Sequence, residues 1–200
     1  MRKKIRFYQQ HTMETCGPAC MLMLLDLYRK VEYPTPKQEM KLYSLYRSSA
    51  FKGMNGAAMA NCLSLNNLEI TLLQSFRQKM DNRDEYYSEE LYENLQEEYQ
   101  VALEKCTNRI TLIADAAITC DLLKQKLDSG KQIILQCIVP GNADGIHDHT
   151  LHWIVVYGYD GDEFMVCDPL SSKIRITSEA MENYMDTPIG RICIVSGEKT

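Results

Sequence analysis

A cysteine stands where an apolar helix begins in the run Gln10-His-Thr-Met-Glu-Thr-Cys16-Gly-Pro-Ala-Cys20-Met-Leu-Met-Leu-Leu-Asp-Leu27. Pro18 fits a helix only in its first turn, where the missing N–H costs nothing, so the spacing predicts a helix over 16–29. Thr15 is the expected N-cap, its hydroxyl accepting from an early free N–H. At that junction Cys16 meets the positive end of the helix dipole and unpaired N–H groups, which favour a thiolate nucleophile and can hold an oxyanion. Gln10 is a candidate second oxyanion donor. Free cysteine more often behaves as a small buried hydrophobe. Cys20 fits that reading, on one helical face with Leu24 and Leu27, and so do the remaining six of the 8 cysteines.

A general base is expected from the second half of the chain, where His147, His149 and His152 precede or open a hairpin. Strands over 151–158 and 162–168 joined by a three-residue loop, Tyr159-Asp160-Gly161, place His152 directly across from Asp168. Cross-strand partners have Cβ atoms about 4.5–5.5 Å apart, within reach of an imidazole–carboxylate hydrogen bond. A two-residue Asp-Gly turn would throw the two side chains onto opposite faces, so the three-residue loop is a condition of the pairing. Cys16, His152 and Asp168 would then form a thiol nucleophile, a base and the group that orients the base. The alternative, a metal-ligand cluster of His147, His149 and His152, is disfavoured because loop histidines so close together are poorly spaced for a preformed site.

These residues need a scaffold, and the patterning supplies one. After an extended arm or short strand over 5–9 and the helix at 16–29, helices are expected over 36–47, 57–66, 88–106, 118–127 and 178–184. Strands are expected at 68–73, 131–139, the hairpin, 173–176 and 191–196, with a short extended piece at 111–114. Helices dominate the first two-thirds and antiparallel strands the last third, an α+β order rather than alternating βα units. Residues 78–108 differ in character. They are rich in Glu, Asp, Gln and Tyr, and a stripe of Leu91, Leu95, Tyr99 and Leu103 underlies Glu89, Glu90, Glu93, Glu97, Glu98 and Glu104, a helix lying on the outside of the domain and favouring basic partners.

Two hundred residues with 45% hydrophobic content suit one domain, 1–200, with a sizeable core. The net charge of -5 and the absence of a basic stripe argue against nucleic acid as a partner. No apolar run is long enough to span a membrane, and the basic start of the chain is followed by polar residues rather than a signal-peptide core. The cysteines occur singly, without a CxxC pair, which points away from zinc and disulfides and towards a reducing cytoplasm. No cofactor is expected.

Gln10, then Cys16-Gly17-Pro18-Ala19 opening an apolar helix, then His152 heading an apolar strand and Asp168-Pro169 closing its neighbour, together resemble the papain-like bacteriocin-processing cysteine peptidases. These remove double-glycine leaders and are usually fused to peptide-exporting transporters. The resemblance implies a papain-like α+β fold, Cys16 as nucleophile, His152 as base and acid, Asp168 as orienter, Gln10 as oxyanion donor, and a peptide or acyl-thioester substrate handled through an acyl-thioester intermediate. Three features depart from the family. Thr15 stands where these peptidases usually carry Asp, residues 78–108 look like an insertion, and no GxxxxGK[ST] P-loop occurs. The same fold in stand-alone relatives also serves acyl transfer from a thioester to an amine, or peptide binding without catalysis.

Overall fold

A computed structural model of the chain describes residues 4–49, 52–76, 88–106, 108–138 and 151–199. Local chemistry sets the helix starts. Helix α1 (Cys16–Leu27) carries Pro18 in its first turn and buries every residue from Cys16 to Leu25. Helix α2 (Pro36–Tyr46) starts at a proline and a reciprocal capping box between Thr35 and Gln38. Asn55 caps α3 (Gly56–Leu65), whose exit is Asn67 at φ 61°. Ser88 caps α4 (Glu89–Lys105) and Thr119 caps α5 (Cys120–Asp128), each accepting from the N–H three residues on. The last helix is α6 (Ser178–Met185).

The strands are β1 (Leu68–Phe76), β2 (Thr111–Ile113), β3 (Gln132–Ile138), β4 (Leu151–Asp160), β5 (Glu163–Cys167), β6 (Lys173–Thr177) and β7 (Gly190–Glu198). They form a seven-stranded sheet in the order β2-β1-β7-β3-β4-β5-β6. Alternate residues face opposite ways, so Ile134 joins the core under α1, α3 and α4, while Ile133 and Leu135 join the one under α5 and α6. The architecture is α+β, as expected, but the sheet is mixed and is not confined to the C-terminal third. β1 pairs antiparallel with β7 and parallel with β2, the parallel pair being joined through the long connection that contains α4. Residues 5–9 form an extended arm and not a strand. Among the described residues no helix is long and apolar enough to cross a membrane.

The hairpin departs from its expected register. β4 and β5 run to Asp160 and from Glu163, so the connection is the two residues Gly161-Asp162, with Gly161 at φ +58°. A glycine at positive φ in the first central position is the type II′ pattern. That turn alone would separate the faces of His152 and Asp168. A bulge between Val156 and Gly158 absorbs one residue of β4 and restores the parity. With Val155 opposite Cys167, His152 lies diagonal to Asp168 rather than directly across from it. Diagonal neighbours are about 7–8 Å apart, a gap an imidazole and a carboxylate can close together.

The α4 stripe holds, with Leu95 and Tyr99 buried and Leu91 and Leu103 partly so, but Tyr92 is buried as well. Glu98 is not a free surface charge, since it accepts from the hydroxyls of Ser48 and Ser49 and from the Ser49 N–H at 2.7 Å. The start of α3 is held by close packing. A Cβ on Gly56 would lie 2.7 Å from Ile192 Cγ2 and 3.2 Å from Trp153 Cη2. Gly56→Ala is therefore expected to lower the unfolding free energy by about 1–3 kcal/mol, as overpacking does. Urea denaturation checks this, and an unchanged midpoint contradicts it.

Candidate active site

Three elements meet at the start of α1. Thr15 is the residue before the helix, but its hydroxyl does not cap it. It turns back, accepting from the Thr12 N–H at 3.1 Å and donating to the Thr12 carbonyl at 3.0 Å. The expected cap is thus replaced by a closed turn over 12–15. Ala19 bonds the Thr15 carbonyl and Pro18 has no N–H, so the Cys16 and Gly17 N–H groups make no hydrogen bond among the described residues. They form a small free donor cluster beside the Cys16 sulfur.

Helix α1 is seated on the head of β4. A Cβ on Gly17 would meet Met59 Sδ at 3.1 Å, Met54 Cβ at 3.3 Å and Trp153 Cδ1 at 3.5 Å, so the glycine gives α1 a close approach that a side chain would crowd. One turn on, the Cys20 thiol donates to the Trp153 carbonyl at 3.2 Å, and the Trp153 indole N–H donates to the Met54 carbonyl at 2.9 Å. These contacts fix Cys16 relative to His152, the neighbour of Trp153.

His152 is 5% exposed, and its Nε2 lies 2.8 Å from Asp168 Oδ1. Asp168 follows β5 in a turn closed by its own N–H on the Ser172 carbonyl at 2.9 Å. Its carboxylate also accepts from the Leu170 N–H at 2.9 Å and the Ser171 hydroxyl at 2.8 Å. Sequence reading missed both donors, although an Asp bonding an N–H two residues on is a recognisable Asx-turn pattern. Burial would push the His152 imidazole down, but its hydrogen bond to Asp168, then Cys16 beside the ring, raise it to about 9. Burial likewise opposes ionisation of Asp168, and the bonds from His152, Ser171 and Leu170 overcome it and hold the carboxyl below its usual range.

The third element is the strap leading into α1. The Gln10 N–H donates to the Pro169 carbonyl at 2.9 Å, tying the strap to the Asp168 turn. Its side-chain Nε2 donates to the Thr12 carbonyl at 2.7 Å, and its Oε1 is buried without a partner among the described residues. One amide proton is thus committed to the strap, leaving one for a ligand.

The other seven cysteines lie in the core, where burial pushes every thiol up, Cys62 and Cys167 to about 11 and Cys120 and Cys193 to about 12. Cys16, also buried, is set apart by lying against His152. His147 and His149 fall outside the described residues. Among the described residues no group of three or more His, Cys, Asp or Glu is placed to hold a metal ion. A buried thiol, an imidazole fixed by a carboxylate and free helix-start N–H groups can together attack a carbonyl, move a proton and stabilise an oxyanion.

The sequence matches the profile of the Peptidase_C39 like family over residues 2–187. No curated protein is significantly similar to the chain. Among solved structures, a double glycine motif protease from an AMS/PCAT transporter in complex with its leader peptide is 15% identical, with a TM-score of 0.54, over 99% of this chain and 94% of that one. The peptidase domain of Streptococcus ComA, a bi-functional ABC transporter of a quorum-sensing pathway, is 13% identical, with a TM-score of 0.50, over 98% and 100%. A C39-like peptidase from Bacillus anthracis is 12% identical, with a TM-score of 0.50, over 99% and 96%. At these identities the structures establish a shared fold.

The site's electrostatics are testable in solution. NMR titration of the His152 ring is expected to give a value near 9 in the native chain, and a lower one in Asp168→Asn, where burial acts without a carboxylate to offset it. Because the folded value exceeds the unfolded 6.5, the protonated ring contributes stability that is fully present below pH 6.5 and lost as pH rises through 9. Asp168→Asn should flatten that decline. An unchanged His152 titration in Asp168→Asn contradicts the assignment.

Proposed function

Because the chain belongs to the Peptidase_C39 like family, enzymes of the papain-like cysteine-peptidase class, we propose that it cleaves a peptide after a double-glycine-type leader, with Cys16 as nucleophile, His152 as acid and base, Asp168 as orienter and Gln10 as oxyanion donor. The observation that carries this reading is the 2.8 Å bond between His152 Nε2 and Asp168, which leaves the other ring nitrogen for the neighbouring Cys16.

In the acylation step the Cys16 sulfur attacks the scissile carbonyl carbon. The carbonyl oxygen takes the negative charge and is held by the Cys16 N–H and the remaining Gln10 amide proton. As the tetrahedral species collapses, the C–N bond breaks and His152, protonated at neutral pH given its value of about 9, gives its proton to the leaving amine. The product is an acyl-thioester on Cys16 and a neutral imidazole. Water then attacks the thioester and gives its proton to His152. Collapse releases the carboxylic acid and restores the sulfur–imidazolium pair. Asp168 keeps one tautomer and one ring orientation throughout, stabilises the imidazolium and need not itself be protonated.

All eight cysteines are free, which supports a reducing, cytoplasmic setting as part of the same reading. Residues 78–108, which include α4, are read as an insertion into a single domain spanning 1–200. The test is cleavage of a synthetic peptide with a Gly-Gly junction. Cys16→Ala should lower kcat by about 10³-fold or more while leaving the circular dichroism spectrum unchanged. Cleavage by Cys16→Ala at the native rate would overturn the reading.

A further inference from the structure

Glu39, in the first turn of α2, is fully buried. One carboxylate oxygen accepts from the Tyr8 hydroxyl at 2.5 Å and the other from the His11 N–H at 2.7 Å. Both partners belong to the strap that carries Gln10, and they flank it. Burial first, then the Glu39 carboxylate, pushes the Tyr8 phenol up, so it stays a donor at all ordinary pH. A carboxylate withdrawn from water is costly unless its lone pairs are used. An apolar side chain of similar volume would fill the same space at less cost, so packing alone does not explain the residue. What a carboxylate adds is direction: two bonds from one rigid group fix two points of the strap.

We propose that Glu39 is a positioning residue for the oxyanion site, holding residues 8–11 so that the Gln10 amide meets the reacting carbonyl. The proposal rests on the reading of Gln10 as oxyanion donor. The strap is also held by the Gln10 N–H on the Pro169 carbonyl, so Glu39 and the Asp168 turn both anchor it. Within it the Gln10 side chain is anchored only through Nε2 to Thr12, its Oε1 lacking a partner among the described residues, so the amide follows wherever the backbone of 8–12 is placed. An error of about 1 Å in such a donor is enough to cost up to about 100-fold in rate.

The test compares Glu39→Leu, Glu39→Gln and Tyr8→Phe on a fluorogenic Gly-Gly peptide amide, with iodoacetamide alkylation of Cys16 and hydrogen exchange measured in parallel. Glu39→Leu should lower kcat by about 10- to 100-fold with KM within about twofold. Alkylation, which forms no oxyanion, should keep its native rate. Glu39→Gln, which can still accept from His11 and donate to Tyr8, should recover most of kcat, and Tyr8→Phe should lose less than Glu39→Leu. In a Gln10→Ala background the Glu39→Leu loss should vanish, because the two act through one amide. An equal loss in that background, or a parallel loss of alkylation, makes Glu39 merely structural and overturns the proposal. If Glu39→Leu does not fold, the same cycle with Tyr8→Phe decides. Hydrogen exchange separates this claim from the peptidase reading, since it needs no turnover. The variants that break the clamp should lose protection in a peptide covering 8–13 and keep it elsewhere. Unchanged protection there overturns the clamp even in an active enzyme, whereas lost protection in a chain that cleaves nothing leaves the clamp standing and removes the peptidase reading.

Discussion

The 2.8 Å hydrogen bond between His152 and Asp168 is the constraint on which the rest of the site depends. It joins a residue near the head of β4 to one just past the end of β5, and those two positions do not face each other in the ladder. The bulge at Tyr157 sets the parity, the two-residue turn at Gly161-Asp162 sets the register, and the length of the two side chains closes the remaining diagonal. The Asp168 carboxylate is held in place, because the Leu170 N–H shares Oδ1 with His152 and the Ser171 hydroxyl donates to Oδ2. The carboxylate, with Cys16 beside the ring, in turn raises the buried imidazole to about 9 against the pull of burial. Charge, register and turn chemistry therefore converge on one ring.

The second requirement is that a helix start be brought to that ring, and here small residues do the work. Gly17 and Gly56 lie against opposite edges of the Trp153 indole, at Cδ1 and Cη2, so α1 and α3 are both gauged by one side chain. The thiol of Cys20 is the clearest case of a core cysteine with a positional task, since it bonds the carbonyl of the residue after His152. Thr15 contributes by what it leaves undone. With its hydroxyl turned to Thr12, two N–H groups at the head of α1 have no partner among the described residues, where a conventional cap would use one. The chain belongs to the Peptidase_C39 like family and shares a fold with a double glycine motif protease.

Much of this was legible in the sequence. Pro18 and the apolar run located α1 and with it Cys16, because proline has so few permitted helical positions. His152 and Asp168 were legible because the first heads an apolar strand and the second, followed by Pro169, closes the neighbouring one. The turn itself was misread: Gly161 suits either a three-residue loop or the first position of a type II′ turn, and a one-residue bulge leaves no mark in the alternation of Val155, Val156 and Tyr157. The pairing was therefore right in its partners and wrong in its route. Glu39 was invisible for a different reason. A glutamate in the first turn of a helix reads as a solvated residue favoured by the dipole, and only tertiary contact with Tyr8 and His11 reveals it as buried. Glu98, too, reads as surface charge until the loop at Ser48 and Ser49 is folded onto it.

The central claim is that Cys16 and His152 act as one unit that forms a covalent acyl intermediate. Rapid acid quench of the enzyme with a Gly-Gly peptide ester, followed by intact mass measurement and peptide mapping, tests it directly. The account predicts a thioester adduct confined to Cys16 that builds up in a burst and is absent from His152→Ala. An adduct on any of the other seven cysteines, or steady cleavage with no acylation of Cys16, would contradict it.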